Sequence, residues 1–473
     1  MGKRREKTDY LSYIRNGQEL SFKQKCLLAA SLSTPAIMAQ ITSVMMQYID
    51  ASMVGRMGAG ASAAIGLVST TTWLFGGVCG SAAAGFSIQA AQYIGGKQFE
   101  KAREVLCQSL AAVLLFSLSL AAVGAAVSFF LPVWLGGTEE ICRDASLYFL
   151  IYAAGLPASA LGRLSGSMLQ CSGNMKLPGI LNSLMCLLDV IFNAFLIFDG
   201  FRFSIGGLTV TVPGAGLGVA GAALGTLLAH AVIAVVMLWF LCFRSPILRL
   251  KRGDRFSMKK DCIGRAVRIS GPIAFQQCVV SGALIMATRI VAPLGIVSIA
   301  ANSFAVTAES LCYMPGYGIA DAATTLTGQS IGAKRPGLAV SFGRITVGMG
   351  MVMMIITGSL LYFGAPFMMG ILTPDAQVQA LGIRILRIEA FAEPLYGASI
   401  VVTGVLRGAG DTLVPSIMNF VSLWAVRLPL SYVLAGRYGL VGVWIAMCTE
   451  LCFRGVIFLW RMSRKKWVRA SVI

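Results

Sequence analysis

Long apolar stretches without charge dominate this chain. Ser109–Leu131 and Val347–Leu372 contain no charged residue, and Leu217–Phe243 is interrupted only by His230. Each is longer than the roughly 20 residues a helix needs to cross a bilayer core. Polar-in, apolar-out strand alternation is absent from these stretches, and helices satisfy every backbone group internally. The pattern therefore predicts an all-α polytopic membrane protein. Twelve spans are expected, at 25–51, 60–94, 103–132, 141–169, 176–199, 215–243, 262–289, 296–331, 338–365, 377–406, 414–435 and 440–461. The first apolar run, from Cys26 to about Ile49, exceeds a signal-peptide core and reads as a retained span.

Composition agrees with this. Apolar residues make up 56% and charged residues 12%, and the mean hydropathy is +0.76. The net charge of +19 is concentrated at the ends of spans. Basic groups cluster at Lys3–Lys25, Lys97–Arg103, Arg244–Arg268, Lys334–Arg335 and Arg461–Arg469, whereas loop 133–140 carries Glu139 and Glu140. The positive-inside rule accounts for this without nucleic acid and puts both termini in the cytoplasm. The expected organisation is a cytoplasmic N-terminal segment (1–24), an N-lobe (25–243), a basic linker (244–261), a C-lobe (262–461) and a basic tail (462–473). Twelve scattered cysteines without CxxC spacing read as small buried hydrophobes.

The two halves repeat. Pro35, Gln40, Gly58, Gln92 and Gly95 meet Pro272, Gln277, Gly295, Gln329 and Gly332, each 237 residues later (272 − 35). Pro157, Leu169, Gly173, Pro178 and Asn182 meet Pro394, Leu406, Gly410, Pro415 and Asn419. Six spans per half is an even number, so the halves share one orientation and the repeat is parallel. The register changes at Gly218, which meets Gly439 at an offset of 221 (439 − 218). The extra residues lie near 200–215, where Phe201–Pro213 alternates around Gly206-Gly207 as a hairpin would. It reads as a lid over an external vestibule or as a plain long loop.

Acids inside apolar spans need a reason, because ionised Asp at mid-bilayer costs about 2.5–3.5 kcal/mol on insertion scales. Asp50 lies late in the first span and Asp189 in the fifth. Glu309 and Asp321 share the eighth, and Glu389 and Glu393 share the tenth. Each is either a helix-packing partner, paired for example with Arg384, Arg387 or Arg427, or part of a proton or cation site. Asn182, Asn193 and Gln40 supply neutral oxygens for Na⁺ at Asp50 and Asp189. Pro35 and Pro272 sit mid-span and free a carbonyl one turn earlier. Gly76-Gly77 and Gly80 read as close helix packing. Leu169–Pro178 and Leu406–Pro415 read as matching hairpins, with Gly ending one helix, Asn or Asp capping the next and Pro in its first turns.

Pro394, Gly404–Thr412 and Pro415 resemble the P…GxLRGxGDTxxP signature of the multidrug and toxic compound extrusion (MATE) family. Asp50–Gly58 resembles its first-span D-x-x-x-(V/A)-G-x-x-G motif, and Gly328–Ala333 its GQxxGA. The resemblance covers about 20–465. It implies two six-helix lobes forming a V, alternating access, and export of amphipathic, often cationic compounds against entry of H⁺ or Na⁺. By motif, the N-lobe acids fall on Asp50 and Asp189. One branch has Asn one turn before the second acid, where this chain has Met185. Another has Glu about eight residues after the span-seven proline, where this chain has Val280, with Gln276 and Gln277 nearby. Coupling is therefore expected in the first lobe, with Glu309, Asp321, Glu389 and Glu393 as secondary candidates.

The expected function is secondary antiport of small organic, cationic compounds. The alternative is a lipid-linked oligosaccharide flippase, which calls for a strongly basic cavity. A single His, no HExxH and no nucleophile motif argue against an enzyme, and no GxxxxGK[S/T] supports ATP-driven transport. The expected partners are a small-molecule substrate and the bilayer, with the chain a monomer. No cofactor is expected beyond the coupling ion.

Overall fold

A computed structural model describes residues 10–205, 208–251, 253–254 and 258–469. Helices cover spans one (Phe22–Gly55), two (Ala59–Gly95), three (Phe99–Val127), four (Glu139–Cys171), five (Lys176–Ile197) and six (Gly218–Trp239). The second half follows with spans seven (Lys260–Val291), eight (Ile296–Gly332) and nine (Pro336–Leu372). Span ten is made of two helices, Ala376–Glu389 and Glu393–Ala409. Span eleven starts at Leu413, and span twelve ends at Ser463. Large apolar side chains such as Leu115, Leu360, Phe363 and Phe367 point outward, as a lipid-facing surface requires. The basic segment 1–9, the last four residues 470–473, linker residues 252 and 255–257, and Gly206-Gly207 lie outside the described residues.

Local chemistry sets the helix ends. Ser21 Oγ accepts from the Gln24 amide at 3.3 Å while Gln24 Oε1 accepts from the Ser21 amide at 2.8 Å, a complete capping box opening span one. The repeat is written into the backbone as well. Left-handed φ values recur at Gly58 (111°) and Gly295 (95°), Lys97 (58°) and Lys334 (57°), and Gly173 (95°) and Gly410 (89°). All three pairs are 237 apart. Gly218 (57°) and Gly439 (59°) form a fourth pair at the offset of 221. Turns, more than spans, carry the duplication, because a positive φ tolerates few side chains.

The halves interlock crosswise. Span one packs on span eight and span two on span seven. At the basic end the approach is backbone to backbone. A Cβ on Gly95 would lie 2.1 Å from the Gln329 carbonyl oxygen, and one on Gly332 would lie 1.8 Å from that of Gln92. Only glycine permits this contact, which seals that end of the bundle. The linker is tied down beside it. Asp254 pairs with Arg103 at 3.3 Å, and Lys259 with Glu104 at 2.8 Å.

Three expectations need correction. Span ten is not continuous: it breaks between Glu389 and Glu393, one turn before Pro394, whose missing N–H cannot hold the helix together. No loop separates spans eleven and twelve. Gly439 alone turns the chain, with φ 59° and ψ −140°. Span eleven also contains a π-helical stretch, Val421–Arg427, which was not foreseen. Asp411 does not cap a helix. Its Oδ2 instead takes the Arg461 guanidinium at 2.6 Å, while in the first hairpin Asn174 Oδ1 does accept from the Leu177 amide at 3.2 Å. The 200–213 segment forms two antiparallel strands, Gly200–Ile205 and Leu208–Pro213, with Phe201 opposite Val212 and Ile205 opposite Leu208.

Candidate functional site

A cavity of about 720 Å³ lies between the halves. This falls within the range of small-molecule sites. Spans one, two, four, five and six line one side, and spans seven, eight, ten, eleven and twelve the other. Its polar lining includes Gln40, Asn182, Arg163 and His230 from the first half, and Gln276, Asp321, Arg407 and Arg454 from the second. Trp73, Tyr317 and Tyr396 add aromatic surface.

The glycines of span two shape this lining. A Cβ on Gly80 would lie 3.0 Å from Arg163 Nη1, and one on Gly77 would lie 2.3 Å from Cγ of Gln277. The Gly76 carbonyl accepts from Arg163 Nη1 at 3.1 Å. These glycines therefore make room for polar side chains as well as for neighbouring helices.

The first-half acids meet one helical turn beyond the cavity. Gln47 and Met185 line it, and Asp50 and Asp189 follow them on spans one and five. The Asn193 side-chain amide bridges the two acids, donating to Asp50 Oδ1 at 3.0 Å and to Asp189 Oδ2 at 3.1 Å. Asp189 and Asn193 are fully buried, Asp50 partly. The two carboxyl groups are thus brought together on one side-chain amide. Two carboxyl groups gathered on one buried amide form the kind of acid pair that a shared proton or cation would neutralise. Asp189 Oδ1 and Asn193 Oδ1 keep buried lone pairs that nothing else among the described residues satisfies. The donor set of two carboxylates and an amide oxygen suits a proton or Na⁺.

Gln40 and Asn182 stand apart from this pair. Both line the central cavity, where the Gln40 amide donates to Asp321 Oδ2 at 3.4 Å. Glu309, Glu389 and Glu393 form a second acid group in the other half. All three are buried, and one oxygen from each lies within 4.8 Å of the others. Glu389 and Glu393 flank the break in span ten, and their four oxygens have no hydrogen-bond partner among the described residues. The expected pairing with Arg384 or Arg387 does not occur. Both are exposed on the opposite face, and Arg387 stacks on Tyr362 with its guanidinium 5.3 Å from the ring centre.

Arg163 and Arg407 are the cavity residues that sequence reading missed. Arg163 is the lone charge between Asp144 and Lys176, and that isolation was the available signal. Arg407 was visible only as part of a hairpin motif.

The MatE family model matches residues 35–195 and 272–433, two stretches that begin 237 residues apart. A probable multidrug resistance protein NorM of Thermotoga maritima is 24% identical over 447 residues, covering 93% of each chain. A second protein of that description, from Halalkalibacterium halodurans, is 26% identical over 460 residues, covering 95% of this chain and 97% of its own. The crystal structure of a MATE in complex with MaL6 superposes with a TM-score of 0.87 at 20% identity, over 97% of this chain and 99% of that one.

Proposed function

The chain belongs to the MatE family, the multidrug and toxic compound extrusion transporters, and on that premise we propose that it is a secondary active antiporter. It is a multi-pass membrane transporter and not an enzyme. In our reading it exports small amphipathic organic compounds in exchange for H⁺ or Na⁺ by alternating access. Both termini and the sealed basic end face the cytoplasm of a bacterial cell, as the positive-inside rule requires.

The bridged pair Asp50–Asn193–Asp189 carries this reading. Loading a proton or cation neutralises it, and unloading restores repulsion across the interface between spans one and five. Span one also packs on span eight of the other half, with Tyr48 Oη donating to the Thr307 carbonyl. A change in span one is thereby felt across the cavity.

A second ion position in the other half is favoured by one observation, the four unpartnered carboxylate oxygens of Glu389 and Glu393. Broken helices at membrane depth commonly build such sites. The flippase reading is weaker, because a cavity of about 720 Å³ suits a small molecule better than a lipid-linked oligosaccharide.

The test is efflux from proteoliposomes under an imposed pH or Na⁺ gradient. Gradient-driven efflux that Asp50→Asn abolishes is the expected result. Efflux at the same rate without either gradient would refute antiport.

A further inference from the structure

The charge of the cavity lining bears on what it carries. Three guanidinium groups face it, from Arg163 on span four, Arg407 on span ten and Arg454 on span twelve. Among the described residues Asp321 is the one carboxylate in the lining; it accepts from Gln40 and lies close enough to Arg407 for the two charges to interact, without forming an ion pair. Arg454 is neutralised from behind by Glu450, which takes two of its N–H groups at 2.7 Å each. Arg163 and Arg407 have no such ion pair. Among the described residues, no carboxylate lies within 4.0 Å of either. Among the described residues, Arg163 donates a hydrogen bond only to the Gly76 carbonyl, at 3.1 Å, and Arg407 only to the Gln276 side-chain oxygen, at 3.3 Å. Each therefore keeps most of its five donors for another acceptor.

A guanidinium at membrane depth with no direct ion pair has donors to offer, and its planar fork matches a carboxylate, sulfonate or phosphate group. A cationic cargo would enter against two such groups. Beside them, Trp73, Tyr317 and Tyr396 offer flat apolar surface. We propose that the cargo is an amphipathic organic anion, an aromatic or apolar body bearing one acidic group held between Arg163 and Arg407. This rests on the antiporter reading for the direction and driving force of transport. It replaces the cationic cargo expected from the family resemblance.

The test compares two xanthene dyes of opposite charge, the anion fluorescein and the cation tetramethylrhodamine ethyl ester. Binding to the purified full chain is read by dye anisotropy, and movement by gradient-driven uptake in proteoliposomes. Fluorescein should bind about tenfold more tightly than the cation. Arg163→Gln and Arg407→Gln should each weaken fluorescein about tenfold, the scale of one charge-assisted hydrogen bond. Arg163→Lys should recover part of the loss, which separates lost charge from misfolding. Tighter binding of the cation, or an unchanged fluorescein affinity in both glutamine variants, would overturn the proposal. So would displacement of fluorescein by phosphatidylglycerol but not phosphatidylcholine, since the occupant would then be a lipid headgroup. Arginine-dependent fluorescein binding with no gradient-driven movement would instead uphold the anion site and overturn antiport.

Discussion

Gln92 and Gln329 reach across the molecule to equivalent points. The Gln92 side-chain amide donates to the Gly408 carbonyl at 3.2 Å, and the Gln329 amide to the Cys171 carbonyl at 2.7 Å. Donors and acceptors are each 237 residues apart, so one contact is the image of the other. Both glutamines are fully buried. Each half thus fastens the end of the other half's hairpin, and the two fasteners flank the glycine contact that seals the basic end.

Gln329→Ala should loosen this seal. It leaves the Cys171 carbonyl without its donor, a cost of about 1–3 kcal/mol charged to the sealed state. The population open at the basic end should rise about tenfold. Maleimide labelling of Cys171, which is 4% exposed, should speed up accordingly when followed by mass spectrometry. An unchanged labelling rate would remove the glutamine pair from the seal.

Gly332→Ala should act more severely. Its Cβ would meet the Gln92 carbonyl oxygen at 1.8 Å, and a backbone atom cannot step aside as a side-chain tip can. Transport should fall to background while helical circular dichroism is retained. A variant that transports normally would mean the seal tolerates separation.

Asn193→Leu removes the amide that joins Asp50 and Asp189 but keeps both acids. Losing hydrogen bonds to charged groups should shift the proton or Na⁺ concentration for half-maximal efflux about tenfold. Asp50→Asn should abolish gradient-driven efflux and leave dye binding in place. Titration of efflux against each ion decides, and an unmoved midpoint in Asn193→Leu would argue against a shared site.

Glu450→Gln should destabilise the protein. It leaves the Arg454 guanidinium partly buried without its counter-charge, which typically costs about 3–5 kcal/mol. The melting temperature in detergent should fall by several degrees. The double variant Glu450→Gln/Arg454→Met should recover most of the loss. Equal melting of the single variant and the parent would show that solvent in the cavity compensates Arg454.

Deleting 200–213 should leave coupling intact. The Gly214 amide already donates to the Asp199 carbonyl at 2.9 Å, so the chain can close across the gap without moving. Efflux at the parental rate is expected. Loss of efflux at normal expression would make the hairpin a gate.

The twelve spans were legible because lipid imposes one rule on every outward position. The repeat was legible at its prolines and glycines, whose backbone demands survive where side chains drift. The break in span ten had a signal in Pro394 that the uniform apolar run around it concealed. The partition of the polar residues was not legible. Gln40 and Asp50 share span one, and Asn182 and Asp189 share span five, but which way each faces depends on how the helices roll against their neighbours. Arg163 could have been found as a lone charge in a long uncharged run. Its freedom from any carboxylate could not, since that depends on residues far away in the chain.

Gly439 joins spans eleven and twelve with a single residue, and such a connection has no slack. It is a rigid elbow rather than a tether. Ser422 on span eleven donates to Glu450 on span twelve and braces the elbow with a strut. Glu450 in turn holds Arg454 at the cavity wall. The outer connection, the strut and a cargo-facing cation therefore form one continuous truss, linking the turn at Gly439 to the cavity wall.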